Sequence, residues 1–112
     1  MECLFCKIVS GAIPSQKVYE DEFVYAFNDI NPQAPIHILI VPKQHIGCVD
    51  EINKNNSSVM SHIFEIIPAI AAKAGLINGY RVITNCGNDG CQSVNHLHFH
   101  LVGGAKLSEQ MA

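Results

Sequence analysis

Residues 57–74 have the apolar spacing of one long helix, and this segment constrains how the rest of the chain can pack. Its apolar residues recur every three or four positions and predict a single buried stripe, with Pro68 bending the helix and Gly75 ending it. The stripe contains no polar ligand, so we interpret it as core packing. Its members are Val59, Met60, Ile63, Phe64, Ile67, Ile70, Ala71 and Ala74.

The remaining apolar segments are short and bounded by turn residues, which is typical of strands. Residues 4–10 suit a short N-terminal helix that ends at Gly11. The predicted strands are 17–20, 23–28, 36–41, 80–86 and 95–102, the first two forming a hairpin around Asp21. We therefore predict an α+β fold over residues 1–112 as a single domain, with a five-stranded, mainly antiparallel sheet, one short helix and one long helix.

Composition excludes several function classes. Of the 112 residues 48% are hydrophobic, and 7 Lys and Arg against 10 Asp and Glu give a net charge of −3 without a basic run. We therefore expect no nucleic-acid partner, and no apolar stretch reaches the roughly 20 residues of a membrane span. The N-terminus lacks the pattern of a secretory signal, so we expect a cytoplasmic protein whose cysteines are thiols or metal ligands. These cysteines are Cys3, Cys6, Cys48, Cys86 and Cys91.

Three histidines alternate with apolar residues in the last predicted strand. Side chains alternate between the two faces of a strand, so His96, His98 and His100 should share one face and lie about 7 Å from their neighbours. A solvated strand face or a hydrogen-bonded structural histidine would be the simpler interpretation. Half of the chain's six histidines fall within five residues, which favours chemistry. The residues alone leave open a metal site with three histidines or a nucleophile with helpers.

Several further segments occur in the same order as in a known family. They are residues 26–35 followed by His37, residues 41–45, Asn85, residues 92–94, and Gly103 with Gly104. Together with the three histidines, they resemble the histidine triad family over nearly the whole chain, and most of all its branch of nucleoside phosphoramidate hydrolases. The resemblance implies a homodimer with a purine nucleotide site in each protomer, the nucleotide being an AMP or GMP conjugate. The activity that it implies is hydrolysis at the α-phosphate of purine nucleoside phosphoramidates; the alternatives are a dinucleoside polyphosphate hydrolase and a nucleotide-binding scaffold without catalysis.

The same resemblance implies a role for each polar residue of the site. His98 would attack the α-phosphorus and form a nucleotidyl-histidine intermediate, and His100 would orient the phosphate oxygens. His37 would support the triad through hydrogen bonds, in either a structural or a catalytic role. The groups implied to bind the nonbridging oxygens are Asn85, Ser93 and the backbone around Gln92, Ser93 and Val94.

Nucleotide recognition is also implied by the family pattern. Asp29 would accept hydrogen bonds from the ribose hydroxyls, although a plain turn residue before Asn31 and Pro32 would look the same. The implied apolar slot for the base consists of Phe5, Ile8, Phe27 and Ile30. Ordinary core packing of these four residues is the alternative.

Cys3 and Cys6 form a C-x2-C pair at the start of the chain, a spacing that suits zinc when two more ligands are present. Some members of the family bind zinc through such a pair with two histidines that match His45 and His96. Two thiolates and two neutral imidazoles would form a closed structural zinc site. Two buried thiols without metal are the alternative.

The chain departs from the family pattern at two places. Cys91 stands where glycine is common, so its thiol would lie beside the phosphate-binding loop. The chain also ends eight residues after Gly104 without a tryptophan. Because this tail helps to define the site in related proteins, the sequence leaves the leaving group open.

Overall fold

The computed structural model describes residues 3–110 and has the predicted α+β architecture. Five strands form one sheet in the order β1-β2-β3-β5-β4, and every neighbouring pair is antiparallel. The elements are α1 Leu4–Ser10, β1 Lys17–Glu20, β2 Val24–Asn28, β3 Ile36–Pro42, a 3-10 turn Val49–Glu51, α2 Ser57–Lys73, β4 Tyr80–Ile83 and β5 Phe99–Gly103. Across residues 3–110, neither helix is both long and apolar enough to span a bilayer.

The short helix α1 begins and ends at the predicted residues. The Cys3 thiol caps it by accepting a hydrogen bond from the Cys6 N–H at 3.3 Å. Gly11 follows the helix with a φ of 86° and donates its N–H to the Ile8 carbonyl. A residue with a side chain is strained at this φ, so glycine permits the sharp end of the helix.

The hairpin of β1 and β2 turns around Asp21, as predicted. One carboxylate oxygen accepts the N–H groups of Phe23 and Val24 at 2.8 and 2.9 Å, and the other lies 2.6 Å from both the Tyr19 hydroxyl and His62 Nε2. Burial opposes ionisation of Asp21, but these hydrogen bonds lower its pKa to about 2. The ionised carboxylate thus fixes the turn and ties it to α2.

One face of the sheet packs against α2 and forms the main core. Ile63, Ile67 and Ile70 of α2 are buried against strand residues that include Ile40 and Leu101. The predicted stripe is wrong for Phe64, which is 55% exposed and reaches the core only through an edge contact with the Phe99 ring. Helix α2 stays helical through Pro68 and ends at Lys73, one residue before the predicted end.

The opposite face of the sheet is partly covered by α1. Phe5 and Ile8 pack on a second apolar cluster, whose strand members are Tyr25, Phe27, Leu39 and Val41. Because α1 has only 7 residues, it covers only part of this face. His37 and His100 project from β3 and β5 on the same face as Leu39, beyond the region that α1 covers.

Strand β5 is shorter than predicted. It begins at Phe99, so only His100 lies within it, and β4 ends at Ile83, which pairs with His100. Ahead of β5, the Leu97 N–H bonds to the Ile46 carbonyl at 2.6 Å and the His96 N–H to the Val94 carbonyl at 2.8 Å, so the backbone leaves the ladder. The prediction that a regular strand presents all three histidines is therefore wrong.

Candidate functional site

A cavity of about 300 Å³ lies between α1, the end of β2 and the histidine segment. Its volume is at the lower end of the range for small-molecule sites. Nine predicted site residues line it: Phe5, Ile8, Phe27, Asp29, Ile30, Ser93, Val94, His98 and His100. The sequence did not indicate its other lining residues, which are Leu4, Ile13, Pro14, Ser15, Asn28, Asn31 and Leu39.

His98 is buried, lines this cavity and is present as one defined tautomer. Its Nδ1 lies 2.7 Å from the backbone carbonyl oxygen of His96, and because a carbonyl only accepts, Nδ1 carries the hydrogen. Burial lowers the pKa of His98 against the opposing effects of that carbonyl and of Asp29. The ring is therefore neutral at neutral pH, with the lone pair on Nε2. A neutral imidazole with a bare nitrogen is a competent nucleophile.

His37 and His100 form a hydrogen-bonded pair whose protons can be assigned in the same way. The Gln33 backbone N–H donates to His37 Nδ1 at 3.0 Å, so neutral His37 carries its hydrogen on Nε2. That nitrogen donates to His100 Nδ1 at 2.9 Å, which leaves the His100 hydrogen on Nε2. Burial and the nearby rings of His98 and His37 lower the pKa of His100 to about 4. His100 is therefore a neutral hydrogen-bond donor.

Asp29 lines the cavity and also fixes a turn. Its Oδ1 accepts the Asn31 N–H at 2.8 Å, the contact expected of a turn residue. Its Oδ2 lies 3.4 Å from His37 Nε2. One carboxylate oxygen is thus used locally, and the other faces the polar group of the site.

Two predicted phosphate ligands are not brought into this cavity. The Gln92 side chain accepts the Gly87 N–H at 3.0 Å and donates to the carbonyls of Gly47 and Val94 at 2.7 and 2.9 Å. Asn85 donates to the Gly90 carbonyl at 2.7 Å. Gln92 therefore shapes the loop from within.

Asn85 lines a neighbouring cavity of about 360 Å³ together with Arg81, His37 and His100. His100 lines both cavities and so lies between them. Asn85 therefore lies on the side of His100 that faces this second cavity, away from the cavity that His98 lines.

Two further residues lie near the histidine segment, namely Cys91 and Thr84. Cys91 is exposed and has a φ of 59°, a conformation that glycine adopts more easily than cysteine. The Thr84 hydroxyl donates to the His98 carbonyl at 2.8 Å and so fixes the backbone of the nucleophile candidate. Thr84 was missed because a single hydroxyl after a strand carries no pattern in the sequence.

Cys3, Cys6, His45 and His96 come together at the start of α1, with their ligand atoms all within 4.8 Å of one another. The Cys3 sulfur lies 3.3 Å from His96 Nδ1, and the Cys6 sulfur lies 3.4 Å from His45 Nδ1. His96 Nε2 donates to the Pro42 carbonyl at 2.9 Å, so its Nδ1 lone pair points to the sulfurs. Two thiols and two imidazoles at such distances fit a tetrahedral zinc ion.

Burial has opposite consequences for the imidazole and the thiol ligands of this cluster. Burial lowers the pKa of His96, so its ring is neutral and can ligate. Burial, together with the hydrogen bond to Cys3, raises the pKa of Cys6 to about 11. A zinc ion would supply the positive charge that stabilises the thiolates here.

Comparison with known proteins identifies relatives of the whole chain. Residues 2–112 match the family described as scavenger mRNA decapping enzyme C-terminal binding. A 14 kDa zinc-binding protein of Zea mays is 45% identical over 107 residues, which cover 94% of this chain and 84% of that protein.

Solved structures with the same fold agree closely with this chain. A histidine triad protein from Clostridium difficile has 51% identity and a TM-score of 0.94, covering 98% of this chain and 96% of that one. An HIT family hydrolase from Clostridium thermocellum has 46% identity and a TM-score of 0.96, covering 99% and 97%. At these identities, the likeness extends beyond the fold to the family.

Proposed function

The chain belongs to the histidine triad family, whose solved members include proteins described as hydrolases, and we propose that it hydrolyses purine nucleoside phosphoramidates at the α-phosphate. The hydrolase relatives support a hydrolase-type enzyme in general. The phosphoramidate substrate and the covalent route through His98 are our proposal.

The proposal rests on the tautomer of His98, in which Nδ1 carries the hydrogen and Nε2 carries none. A side chain that only stabilises a core needs no bare nitrogen beside a cavity, whereas a nucleophile does. The His96 carbonyl holds the hydrogen on Nδ1, and burial keeps the ring neutral. Nε2 is thus ready to bond to phosphorus without first losing a proton.

The reaction then has two displacements. Nε2 of His98 attacks the α-phosphorus while the bond from phosphorus to the amine breaks, and the amine leaves with a proton from solvent. His100 donates a hydrogen bond from Nε2 to a phosphate oxygen and keeps its proton, and Ser93, which also lines the cavity, would bind a remaining oxygen. Water next attacks phosphorus, which releases the nucleoside monophosphate and restores neutral His98.

The walls of the cavity suit the rest of the nucleotide. Phe5 and Phe27 meet edge to face at 5.6 Å and offer apolar surface to a purine. Asp29 lies at the polar end, where a ribose would bring its two hydroxyl donors. The exposed Ile30 lies at the rim and would cover the base from outside.

A steady-state comparison of three substrates tests the proposal. Adenosine 5′-phosphoramidate, a diadenosine polyphosphate and an aminoacyl adenylate are each incubated with the wild type and with His98→Asn. We expect the phosphoramidate to have the highest kcat/KM and all turnover to require His98. Preference for the diadenosine polyphosphate would reassign the substrate, and binding without any turnover would indicate a nucleotide-binding scaffold.

We also propose that Cys3, Cys6, His45 and His96 hold one structural zinc ion per chain. The ion would tie α1 to the segment that carries His98, because His96 lies two residues before it. Elemental analysis should find one zinc, and Cys3→Ser/Cys6→Ser should lose it and melt at a lower temperature. Zinc retained by the double variant would contradict the assignment.

The edge strand β4 supports the proposal of a homodimer. Tyr80 and Ile83 on this strand are 41% and 37% exposed. A second copy would cover such apolar edge surface. Light scattering at micromolar concentration should give twice the mass of the chain, and a monomer mass would contradict the proposal.

A further inference from the structure

Cys48 and Cys86 are 38 positions apart in the chain, yet their sulfur atoms lie 3.0 Å apart. Both residues are partly exposed thiols, and neither lines the nucleotide cavity or belongs to the zinc cluster. The proposed reaction therefore does not account for this pair.

The fold brings the two thiols together through the loop that follows β4. Cys48 immediately precedes the 3-10 turn Val49–Glu51, and Cys86 begins the loop that leads to Gln92. Gln92 bonds to the Gly47 carbonyl at 2.7 Å, beside Cys48. Gln92 also accepts the Gly87 N–H at 3.0 Å, so its side chain links Gly47, next to Cys48, to Gly87, next to Cys86.

The loop is also tightly folded around Cys86. A Cβ atom added at Gly90 would lie 2.5 Å from the Cys86 carbonyl oxygen, so the chain returns close to the Cys86 backbone. The Cys86 thiol donates to the Cys48 sulfur, so its side chain points toward the segment that enters the 3-10 turn. Cys86 is thereby aimed at Cys48.

We propose that Cys48 and Cys86 are a modification site, where a reversible disulfide links the loop 86–94 to the segment 46–51. A disulfide bond is about 2.05 Å long, so the two sulfurs must approach by about 1 Å. The oxidant is a small disulfide of the glutathione class. One protein thiolate displaces a glutathione thiolate to form a mixed disulfide, and the second protein thiolate displaces the other, so two glutathione thiols form for each protein disulfide.

A second metal site is the main alternative, because the Asp50 carboxylate lies within 4.8 Å of both sulfurs. Two sulfurs bound to one tetrahedral zinc at 2.3 Å would lie about 3.8 Å apart, farther than the 3.0 Å found here. Asp50 is also exposed, and the cluster offers three ligand atoms where the first cluster offers four. The geometry therefore favours a covalent link over a shared ion.

The disulfide would order the part of the loop that reaches the cavity. Ser93 and Val94 line the cavity, and Gln92, just before them, is bonded to Gly47. A covalent bond at Cys86 would add to that single side-chain anchor. The expected physical effect is a lower opening rate of the loop amides, together with higher thermal stability from the closed chain.

The test uses the 112-residue chain as purified, with its zinc content measured, in a Cys91→Ser background, because Cys86 and Cys91 lie on one tryptic peptide. Oxidised glutathione should lower the intact mass by the two hydrogens of one disulfide. Digestion should then give peptide 44–54 joined to peptide 82–106, and dithiothreitol should separate them. Cys48→Ser and Cys86→Ser in the same background are the matched controls, and each should abolish the joined peptide.

Two further readouts do not depend on enzyme activity. Oxidation should raise the Tm by roughly 10 °C and slow hydrogen exchange at residues 87–94, with neither change in the two control variants. Stable glutathione adducts without the joined peptide would overturn the proposal. So would a second zinc ion per chain that Cys48→Ser or Cys86→Ser removes, since that result would assign the pair to a metal site.

Discussion

The two faces of the sheet share the same strands but have different side chains and different coverage by helices. On the face covered by α2, Ile38, Ile40 and Leu101 are almost fully buried in the main core. On the face partly covered by α1, the same strands present His37 and His100 beside an open cavity. Because side chains alternate along a strand, β3 and β5 supply residues to both faces.

The contrast between the apolar face and the cavity face explains how the buried histidines are held in place. A buried imidazole needs partners for its nitrogens, and along β3 and β5 these are supplied by the backbone and by a second histidine. The apolar face fixes the strands that carry them. Burial on the cavity face then keeps the histidines neutral, since it lowers the pKa of both His98 and His100.

The largest expected effect is the loss of turnover when the proposed nucleophile is removed. We expect His98→Ala to lower kcat/KM by about 10⁴-fold, because the bond to phosphorus no longer forms. His98→Asn keeps a donor for the His96 carbonyl and should be equally inactive while its Tm changes less. Wild-type rates in either variant would contradict the assignment.

A substitution on the face that α2 covers should lower stability without lowering activity. Leu101→Ala removes a side chain that is 1% exposed in the core and should cost about 2–5 kcal/mol of unfolding free energy. The kcat/KM of the folded fraction should remain close to that of the wild type, because no atom of the cavity changes. Urea unfolding and kinetics on the same preparation measure both quantities. A large loss of kcat/KM with unchanged stability would show that the two faces are not separable in this way.

A substitution at Asp29 tests nucleotide binding separately from the chemical step at His98. If its carboxylate binds the ribose hydroxyls, Asp29→Asn should weaken binding of a purine ribonucleotide about tenfold, because a charge-assisted hydrogen bond is lost. The 2′,3′-dideoxynucleotide lacks both donors, so its weaker binding should change little. Calorimetric titration of both ligands against both proteins completes the comparison. Equal losses would mean that the substitution disturbs the turn at Asn31 instead.

A further effect concerns pH and the stability of the cavity face. His100 has a pKa of about 4 in the folded chain against an ordinary value of 6.5. The unfolded chain therefore binds a proton first as the pH falls, so the contribution of His100 to stability is complete above 6.5 and is lost toward pH 4. Urea unfolding at pH 7 and pH 4.5, at equal zinc content, should show a smaller loss for His100→Gln than for the wild type. Equal losses would contradict the assigned burial of His100.

Much of the fold was predictable because it follows from local patterns. The apolar period of residues 57–74, the turn at Asp21 and the glycine at position 11 each act within a few residues. The helix, the hairpin turn and the glycine helix end are confirmed, except that Phe64 lies outside the buried stripe. The length of β5 was predicted wrongly because alternation suggests a strand wherever it occurs. Whether the backbone stays in the ladder depends on Ile46, which lies 51 positions before Leu97.

The candidate site, too, could be predicted only where local patterns or the family resemblance indicated it. Patterns in the sequence and the family resemblance indicated the histidines, Asp29 and the four residues proposed to bind zinc, and the structure brings each group together. They did not indicate that Gln92 turns inward to Gly47 or that Thr84 supports the His98 carbonyl. Such contacts join single polar residues that are distant in the chain, and their pairing is set by the tertiary fold.

Capture of a covalent intermediate is the most direct test of His98 as the nucleophile. The wild type is mixed with adenosine 5′-phosphoramidate, quenched without acid within the first turnover, and measured by intact mass and peptide mapping. We expect an adduct of one adenosine monophosphate, less water, on the peptide 82–106 and located at His98, and we expect none in His98→Asn. An adduct on another residue, or full turnover with no adduct at any time of quenching, would contradict a nucleotidyl-histidine route.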